Sequence, residues 1–476
     1  MQGGGQEATA ARLIEAPREL FPTAADMFAA PYQEVQELQL LGLRRRVAEI
    51  RQQVKVFGRL ADRAGAGDIT SLADGASLLY PSDVYKSYKR DWLFEGQFGR
   101  LTQWVQQLTA HDLSGVNTAE CGSLDEWFAR LESASPLVVC HSSATTGKLS
   151  FVPRSQTEWQ RRATTMAYAS ESAGVEDGPR SIDLKGMPIV SPFYRGGHSA
   201  FLMSVAWNIR VHGDEDLVET LYPGPLSSDL LVVAAQLRNS QGPDLPDNPA
   251  AIGVPAWIAN RWDELRQLAS KPPQDAFRDF AQRTADRFGG QQVWVIGVWP
   301  SLIDVADASS ALGLSGVFRP DTIVHTGGGS KGQSLPEDAY DRVVNWLGVP
   351  EVRETYGMSE IVGANVRCSA NRYHLNPWTI PYVFDKAGTP LPRTGTQRGR
   401  YGAIDLLAES YWGGFLSTDE VTLSYDPGCA CGRQGPYLDV DIARVGGVID
   451  DKVSCAATPA LHDDAMTILA KLSVNR

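Results

Sequence analysis

The sequence has few of the features that mark membrane, nucleic-acid-binding or disulfide-rich proteins. No apolar run approaches the ~18 residues of a spanning helix, and the Gly- and Gln-rich start lacks a hydrophobic signal core. The net charge of −12 argues against a broad nucleic-acid surface or an anionic membrane surface. Six cysteines in 476 residues do not make a disulfide scaffold. We therefore expect a cytoplasmic protein that binds neither nucleic acid nor membranes.

The length exceeds the roughly 250 residues at which single domains usually stop, so several packed units are expected. We predict a helical N-terminal region over 1–135, an α/β core over 136–398, a small β subdomain over 399–445 and a short tail over 446–476. The first 20 residues are expected to be mobile. Apolar residues at steps of three and four predict one long helix from Tyr32 to Ala66.

From Pro136 onward, short apolar runs alternate with helical stretches. The runs are Leu137-Val-Val-Cys140, Met187-Pro-Ile-Val190, Val293-Trp-Val-Ile296 and Thr322-Ile-Val324, and the helical stretches are 256–268 and 273–288. This alternation predicts an α/β fold with buried sheets. Ligands in such folds bind beyond the carboxyl ends of the strands.

A hydroxyl-rich loop follows the first of these runs, as His141-Ser-Ser-Ala-Thr-Thr-Gly-Lys148. Such a loop can offer backbone N–H groups, hydroxyls and one cation to phosphate oxygens. The candidate phosphate-binding residues are Ser142, Ser143, Thr145, Thr146, Gly147 and Lys148. The loop is not a Walker A motif, because Ser142 stands where that motif requires glycine. An ordinary Ser/Thr-rich turn is the alternative.

Three further segments follow in order. Thr326-Gly-Gly-Gly-Ser330 comes after a predicted strand, then Tyr356-Gly-Met-Ser-Glu360, then Thr418-Asp419 with Ala443-Arg444. Together with the hydroxyl-rich loop, this ordered set resembles the adenylate-forming superfamily of acyl-CoA synthetases, peptide-synthetase adenylation domains and luciferase. Alanine or threonine replaces a usual glycine at Ala144, Thr418 and Ala443, which restricts the backbone there.

The resemblance implies a role for each matched residue. Tyr356 would stack on adenine, with Gly327, Gly328, Gly329 and Gly357 close to the base. Ser359 would donate to the α-phosphate, Glu360 would bind Mg²⁺, Asp419 would accept from the ribose hydroxyls and Arg444 would support that region. Glu360, Lys148, Thr145 and Ser359 are the candidate catalytic residues.

The implied reaction activates a carboxylic acid with ATP and Mg²⁺, giving an acyl-adenylate and pyrophosphate. The nucleophile is already ionised near pH 7, so no general base is needed. CoA, a carrier protein or an amine would then take the acyl group, in secondary metabolism, and an oligomer is possible. Only 32 residues follow Arg444, so the resemblance implies the large N-terminal domain, with layered α/β sheets and a small β subdomain, without the mobile C-terminal lobe.

The acid is expected to bind near Pro192-Phe-Tyr-Arg-Gly-Gly-His198. Phe193, Gly197, His198 and Gly329 are the candidate substrate residues. Aromatic side chains in this segment, with Trp299, indicate a flat aromatic acid. A purely structural role for His198 stays open.

A metal-ligand set follows the Tyr356 motif. Cys368 and His374 form one pair, and Cys429 and Cys431 form the other within a turn-rich stretch. Three thiols and one imidazole suit tetrahedral zinc, and four protein ligands make the site structural. A similar pattern marks the phenylacetate-CoA ligase-like branch of the superfamily. Four unligated side chains are the alternative.

Two other functions compete with acid activation and transfer. An acyl-protein synthetase would hold the acyl group as a thioester on Cys455, near Lys452. A non-catalytic acyl- or nucleotide-binding scaffold is the third reading, which the intact Glu360 and Asp419 oppose.

Overall fold

A computed structural model describes most of the chain. It covers residues 3–65, 67–81, 83–142, 149–173, 182–232, 255–259, 273–327, 335–426 and 428–444. Some of the residues singled out from the sequence therefore lie outside the described parts. These are Ser143, Thr145, Thr146, Gly147 and Lys148 of the hydroxyl-rich loop, Gly328 and Gly329, and Cys455 with the predicted tail.

The helices cluster in the N-terminal third and then alternate with strands. Their bounds are α1 Gly3–Glu15, α2 Pro17–Leu20, α3 Ala24–Ala29, α4 Tyr32–Gln53, α5 Lys55–Arg63, α6 Arg90–Phe94, α7 Phe98–Val105, α8 Leu124–Ala134, α9 Gln156–Ala173, α10 Ala200–His212, α11 Ala256–Ala259, α12 Pro273–Phe288, α13 Trp299–Ala311 and α14 Ala339–Leu347. Short 3-10 helices lie at Leu72–Leu78, Val84–Lys86 and Glu215–Leu217.

The strands form a hairpin and two larger sheets. Their bounds are β1 Leu137–His141, β2 Phe151–Ser155, β3 Ile189–Gly197, β4 Val218–Leu226, β5 Trp294–Ile296, β6 Ile323–Gly327, β7 Glu354–Tyr356, β8 Asn365–Val366, β9 Arg372–His374, β10 Thr379–Phe384, β11 Thr396–Asp405, β12 Gly414–Ser424, β13 Tyr437–Asp439 and β14 Ala443–Arg444.

The first large sheet is mostly parallel, in the order β4-β3-β5-β6-β7-β8, with only β8 antiparallel to its neighbour. The second is antiparallel, in the order β10-β11-β12-β13-β9, with β14 paired to β12. The strands predicted near residues 137, 187, 293 and 322 are all present, and the α/β prediction is confirmed. Among the described residues, no helix combines the length and the apolar character needed to cross a bilayer.

The N-terminal region differs from two expectations. Residues 3–20 are not loose, because α1 buries Leu13 and Ile14 completely in the core. The predicted long helix is two helices, since Val54 between α4 and α5 takes an extended conformation (φ −102°, ψ 103°). The break redirects α5, so that Phe57 stacks on the buried Trp412 at 4.0 Å between ring centroids. Burial of this aromatic pair accounts for the interruption of a sequence with helical periodicity.

Candidate active site

The hydroxyl-rich loop is closed at its base by backbone and side-chain hydrogen bonds. The hairpin strands β1 and β2 flank the loop, with His141 opposite Phe151. Beyond this pair, the N–H of Ser142 donates to the Ser150 carbonyl at 3.1 Å. The Ser150 N–H in turn donates to the Ser142 hydroxyl at 3.0 Å. Ser142 therefore anchors the loop, although the loop residues 143–148 lie outside the described part of the chain.

A buried arginine connects this hairpin to the Tyr356–Glu360 motif. Arg154 lies on β2 and is 1% exposed. One of its terminal nitrogens donates to the carbonyl of Ser359 at 2.7 Å and to that of Ile361 at 2.6 Å. The strand that leaves the hydroxyl-rich loop therefore contacts the turn that carries Ser359 and Glu360. No sequence motif pointed to Arg154.

Other side chains bind the same turn. The hydroxyl of Tyr411 accepts from Arg154 Nε at 3.3 Å and donates to the Glu360 carbonyl at 3.0 Å. Arg162, on α9, donates to the carbonyl of Val362. Asp405, at the end of β11, accepts from the backbone N–H of Val362. The backbone of residues 359–362 is therefore bound by four side chains, those of Arg154, Arg162, Asp405 and Tyr411.

Desolvation raises the pKa of the buried Asp405 carboxyl. Backbone donors, among them Leu407 and Val362, act in the opposite direction because they stabilise the carboxylate.

Two members of the motif face different surroundings. Ser359 is 1% exposed, and among the described residues no hydrogen-bond partner lies within reach of its hydroxyl oxygen. Glu360 is only half-buried. A buried hydroxyl without a partner costs about 1–3 kcal/mol, so such a group is suited to binding a ligand atom. The pair offers one free donor and one accessible carboxylate at adjacent positions.

The next pair joins Tyr356 to Asp419. Tyr356 ends β7, and its hydroxyl donates to the Asp419 carboxylate at 2.7 Å. Asp419 lies on β12 opposite Arg444 of β14, at one backbone register position. Residues 356, 419 and 444, which are far apart in the sequence, thus lie at one junction between the two large sheets.

Gly327, at the end of β6, lies in close contact with the neighbouring strand. It pairs with Thr355 of β7. A methyl group at this position would lie 2.5 Å from the Thr355 carbonyl oxygen and 2.7 Å from its hydroxyl. Only glycine fits without moving a strand. Gly357, beyond β7, has more room, because the nearest atom to a methyl group there would be 3.6 Å away.

The candidate acid-binding segment lies at the end of β3. Phe193 is 3% exposed and packs against Phe201, so it is a core residue. Gly197 has a φ of +144°, which disfavours other residues. Gly197 and His198 line a cleft of about 380 Å³ together with Glu132, Met203 and Trp207.

His198 is held firmly in this cleft. Its ring stacks on Phe128 at 4.1 Å between centroids, and its Nδ1 lies 3.1 Å from the Val139 carbonyl and 3.5 Å from Glu132. Burial lowers the pKa of His198 and raises the pKa of Glu132 to about 7. With a carbonyl as its partner, Nδ1 carries the hydrogen, which leaves Nε2 as the basic nitrogen. Trp299, by contrast, is 5% exposed and belongs to the core between α12, α13 and α14.

The four predicted metal ligands come together in space. One ligand atom from each of Cys368, His374, Cys429 and Cys431 lies within 4.8 Å of all the others. Cys368 precedes β9 and His374 is the last residue of β9, whereas Cys429 and Cys431 lie between β12 and β13. Three thiols and an imidazole at such distances fit a tetrahedral zinc ion.

The strand β9 connects this Cys/His cluster to Tyr356. His374 is the last residue of β9, and the preceding Tyr373 packs against Tyr356 with ring centroids 6.0 Å apart. Tyr401 contacts Tyr356 from another side, at 6.1 Å. Successive side chains of a strand point to opposite faces, so one short strand serves both the metal ligands and the tyrosine of the motif.

Comparison with known proteins gives structural neighbours only. No family model and no curated protein match the sequence. Among solved structures, 2-hydroxyisobutyryl-CoA ligase, in complex with 2-HIB-AMP and CoA, matches over 89% of this chain and 77% of its own, with 14% identity and a TM-score of 0.49. Others are an amide bond synthetase from Marinactinospora thermotolerans and an anthranilate CoA ligase in complex with anthranoyl-AMP.

The further matches are more distant. The amide bond synthetase has 11% identity and a TM-score of 0.33, covering 68% of this chain and 51% of its own. The anthranilate CoA ligase has 12% identity and a TM-score of 0.31, covering 65% and 48%.

Proposed function

We propose that this protein uses ATP and Mg²⁺ to convert a carboxylic acid to its acyl-adenylate, with release of pyrophosphate. The observation that carries the proposal is the contact of Arg154 with Ser359 and Ile361. It joins the base of the hydroxyl-rich loop to the turn with Glu360, four residues beyond the tyrosine that binds Asp419. Phosphate donors, a metal-binding carboxylate and a ribose acceptor would then share one cleft.

Each residue would have a separate role in binding the nucleotide or the metal ion. Asp419 would accept from the ribose hydroxyls, with Tyr356 stacked on the base. The free hydroxyl of Ser359 would donate to the α-phosphate, and Ser142 would hold the loop in place. Bound Mg²⁺, held by Glu360, would offset negative charge on the phosphates. The acid needs no base, because its carboxylate is ionised at neutral pH and acts directly as the nucleophile.

The acid would bind beside Gly197 and His198. The apolar part of this cleft, which includes Met203 and Trp207, favours an aromatic acid. A panel of benzoate-type and aliphatic acids, assayed by pyrophosphate release, tests this choice. Preference for a long-chain fatty acid would refute it.

We infer that CoA, a carrier protein or an amine then takes the acyl group, and each acceptor gives a different product. A thioester with CoA, a mass increase on a carrier protein and an amide are separable by mass spectrometry. Acyl transfer to none of them, with free acyl-adenylate as the product, would contradict this second step while leaving the activation intact.

The decisive experiment is pyrophosphate release in the presence of ATP, Mg²⁺ and the acid panel. Glu360→Gln is expected to lower kcat by about 10²-fold or more, because it removes the carboxylate that would hold the cation. Glu420→Gln is a matched control, since Glu420 is paired with Arg398 on the face of β12 away from Asp419. Equal rates for the two variants, or a wild-type protein that releases no pyrophosphate with any acid, would defeat the proposal.

We also propose that the Cys/His cluster holds one structural zinc ion. Elemental analysis of the purified protein is expected to find about one zinc per chain. Cys429→Ala is expected to lose this zinc and lower the Tm. Cys121→Ser is the control, because Cys121 lies outside the cluster and is half-buried. Wild-type protein that is folded and free of zinc would show that the cluster has another role.

A further inference from the structure

We propose that Arg154 is the positioning residue that holds Ser359 and Glu360 in their working geometry, a role that rests on the proposed acid activation. The guanidinium binds the backbone on both sides of Glu360, at the carbonyls of Ser359 and Ile361. The carbonyl of Glu360 itself is bound by Tyr411, which Arg154 contacts in turn. Three successive carbonyls are therefore fixed by one arginine and one tyrosine.

These hydrogen bonds lie in the protein interior. Arg154 is 1% exposed and Tyr411 is completely buried. The guanidinium lies 4.9 Å from the ring centre of Trp159 and 5.9 Å from that of Tyr411. Packing of this kind fixes the plane of the guanidinium and so the direction of its donors. A side chain held in this way can determine the backbone path of the turn.

The turn needs external support because it is irregular. Residues 359 and 360 lie beyond the end of β7, and β8 begins only at Asn365. Within this stretch the carbonyls of 359 to 361 accept from side chains, and the N–H of Val362 donates to Asp405. Displacement of a reacting group by about 1 Å can cost 10²-fold in rate, so this support bears directly on the position of the Glu360 carboxylate.

Arg154 also lies on the strand that leaves the hydroxyl-rich loop. It is four residues beyond Ser150, whose N–H binds the Ser142 hydroxyl. One side chain thus links the base of the loop, at Ser142 and Ser150, to the turn. We assign Arg154 a positioning role, because its Nε and one terminal nitrogen bind Tyr411 and the protein's own backbone.

Arg154→Lys tests the role, with Arg46→Lys as the matched control. Lysine keeps the charge but has no planar fork, so it cannot hold two carbonyls and a hydroxyl together. Arg46 is 4% exposed and donates to the carbonyls of Leu406 and Ile14, away from the turn. Both variants lose a buried guanidinium and should lose similar stability, so the comparison isolates the effect on the turn.

Two readouts decide the outcome. Arg154→Lys is expected to lower kcat by about 10²-fold and to raise the Mg²⁺ concentration for half-maximal rate, with a smaller effect on the KM for ATP. Hydrogen exchange in the peptide covering 358–363 is expected to accelerate. Arg46→Lys should show neither change. An Arg154→Lys protein with the exchange pattern and the Mg²⁺ profile of Arg46→Lys would overturn the proposal.

Two further results keep this test independent of folding and of activity. If Arg154→Lys does not fold, Tyr411→Phe removes only the hydroxyl that binds Glu360 and should shift both readouts in the same direction by a smaller amount. An unchanged Tyr411→Phe would then overturn the proposal. If the wild-type protein releases no pyrophosphate, the proposed function fails, and hydrogen exchange alone decides whether Arg154 holds the turn.

Discussion

Gly327→Ala tests the close contact between β6 and β7. The added methyl group would lie 2.5 Å from the Thr355 carbonyl oxygen, whereas ordinary contacts begin near 3.4 Å, so β7 must move by about 0.9 Å. Overpacking of this kind costs about 1–3 kcal/mol. An unfolding entropy of about 2.1 cal/mol/K per residue gives about 1 kcal/mol/K for the whole chain, so a Tm loss of about 1–3 °C is expected.

The same displacement has a functional consequence, because Thr355 immediately precedes Tyr356. A shift of about 1 Å in a binding residue can cost up to about 10²-fold in kcat/KM, and this is the expected effect on ATP-dependent pyrophosphate release. Gly115→Ala is the control, since a methyl group there would meet no atom within 4 Å and Gly115 lies outside the proposed nucleotide site. Thermal unfolding and pyrophosphate release are measured on both variants. Equal Tm and equal activity in the two would refute the steric reasoning.

Three other changes give separate tests. Asp419→Asn removes the charged acceptor of the Tyr356 hydroxyl and is expected to raise the KM for ATP by about tenfold or more, since hydrogen bonds to charged groups contribute about 1.5–3 kcal/mol; a KM equal to that of Glu420→Gln would contradict this. Burial raises the pKa of the Glu132 carboxyl to about 7, so ionisation of this group at higher pH lowers the stability of the wild-type fold. Glu132→Gln should therefore match the wild type in Tm near pH 4.5 and have a higher Tm than the wild type at pH 8. A constant Tm difference over that range would exclude the raised pKa. Removal of zinc by a chelator should raise the KM for ATP, because His374 lies on β9 beside Tyr373, which packs against Tyr356. Metal-free protein that stays folded and keeps its affinity for ATP would disprove this coupling.

The sequence predicted those parts of the molecule that depend on local pattern. Apolar runs predicted the strands of the parallel sheet, because buried parallel strands are nearly continuous in apolar residues. Ligand spacing predicted the Cys/His cluster, since Cys-x-Cys places two thiols in one turn and zinc needs a narrow set of residue types. In both cases the chemical requirement is visible within a few neighbouring residues.

The supports of the site could not be predicted in this way. Arg154 and Ser359 are 205 residues apart, and Tyr411 and Glu360 are 51 apart. A single arginine in a strand has no spacing signature, and a charged residue is normally expected on the surface. Its place in the strand Phe151-Val-Pro-Arg-Ser155 does not identify it either, because the alternation of a strand does not by itself put a charge inside. The helix break at Val54 was missed for a similar reason, because tertiary packing of Phe57 overrides the local periodicity.

The Cys/His cluster lies close to the proposed nucleotide site, because β9 carries both His374 and the Tyr373 ring that packs on Tyr356. β9 has only three residues, and it pairs with β13 through Tyr437 opposite His374 and Leu438 opposite Tyr373. So short a strand has few hydrogen bonds of its own, and its path depends on what holds its ends. A zinc ion bound through His374 would fix one end, and because the next side chain is Tyr373, it would also fix the surface on which Tyr356 packs. The proposed metal site and the proposed aromatic wall of the nucleotide cleft therefore lie on two faces of one strand.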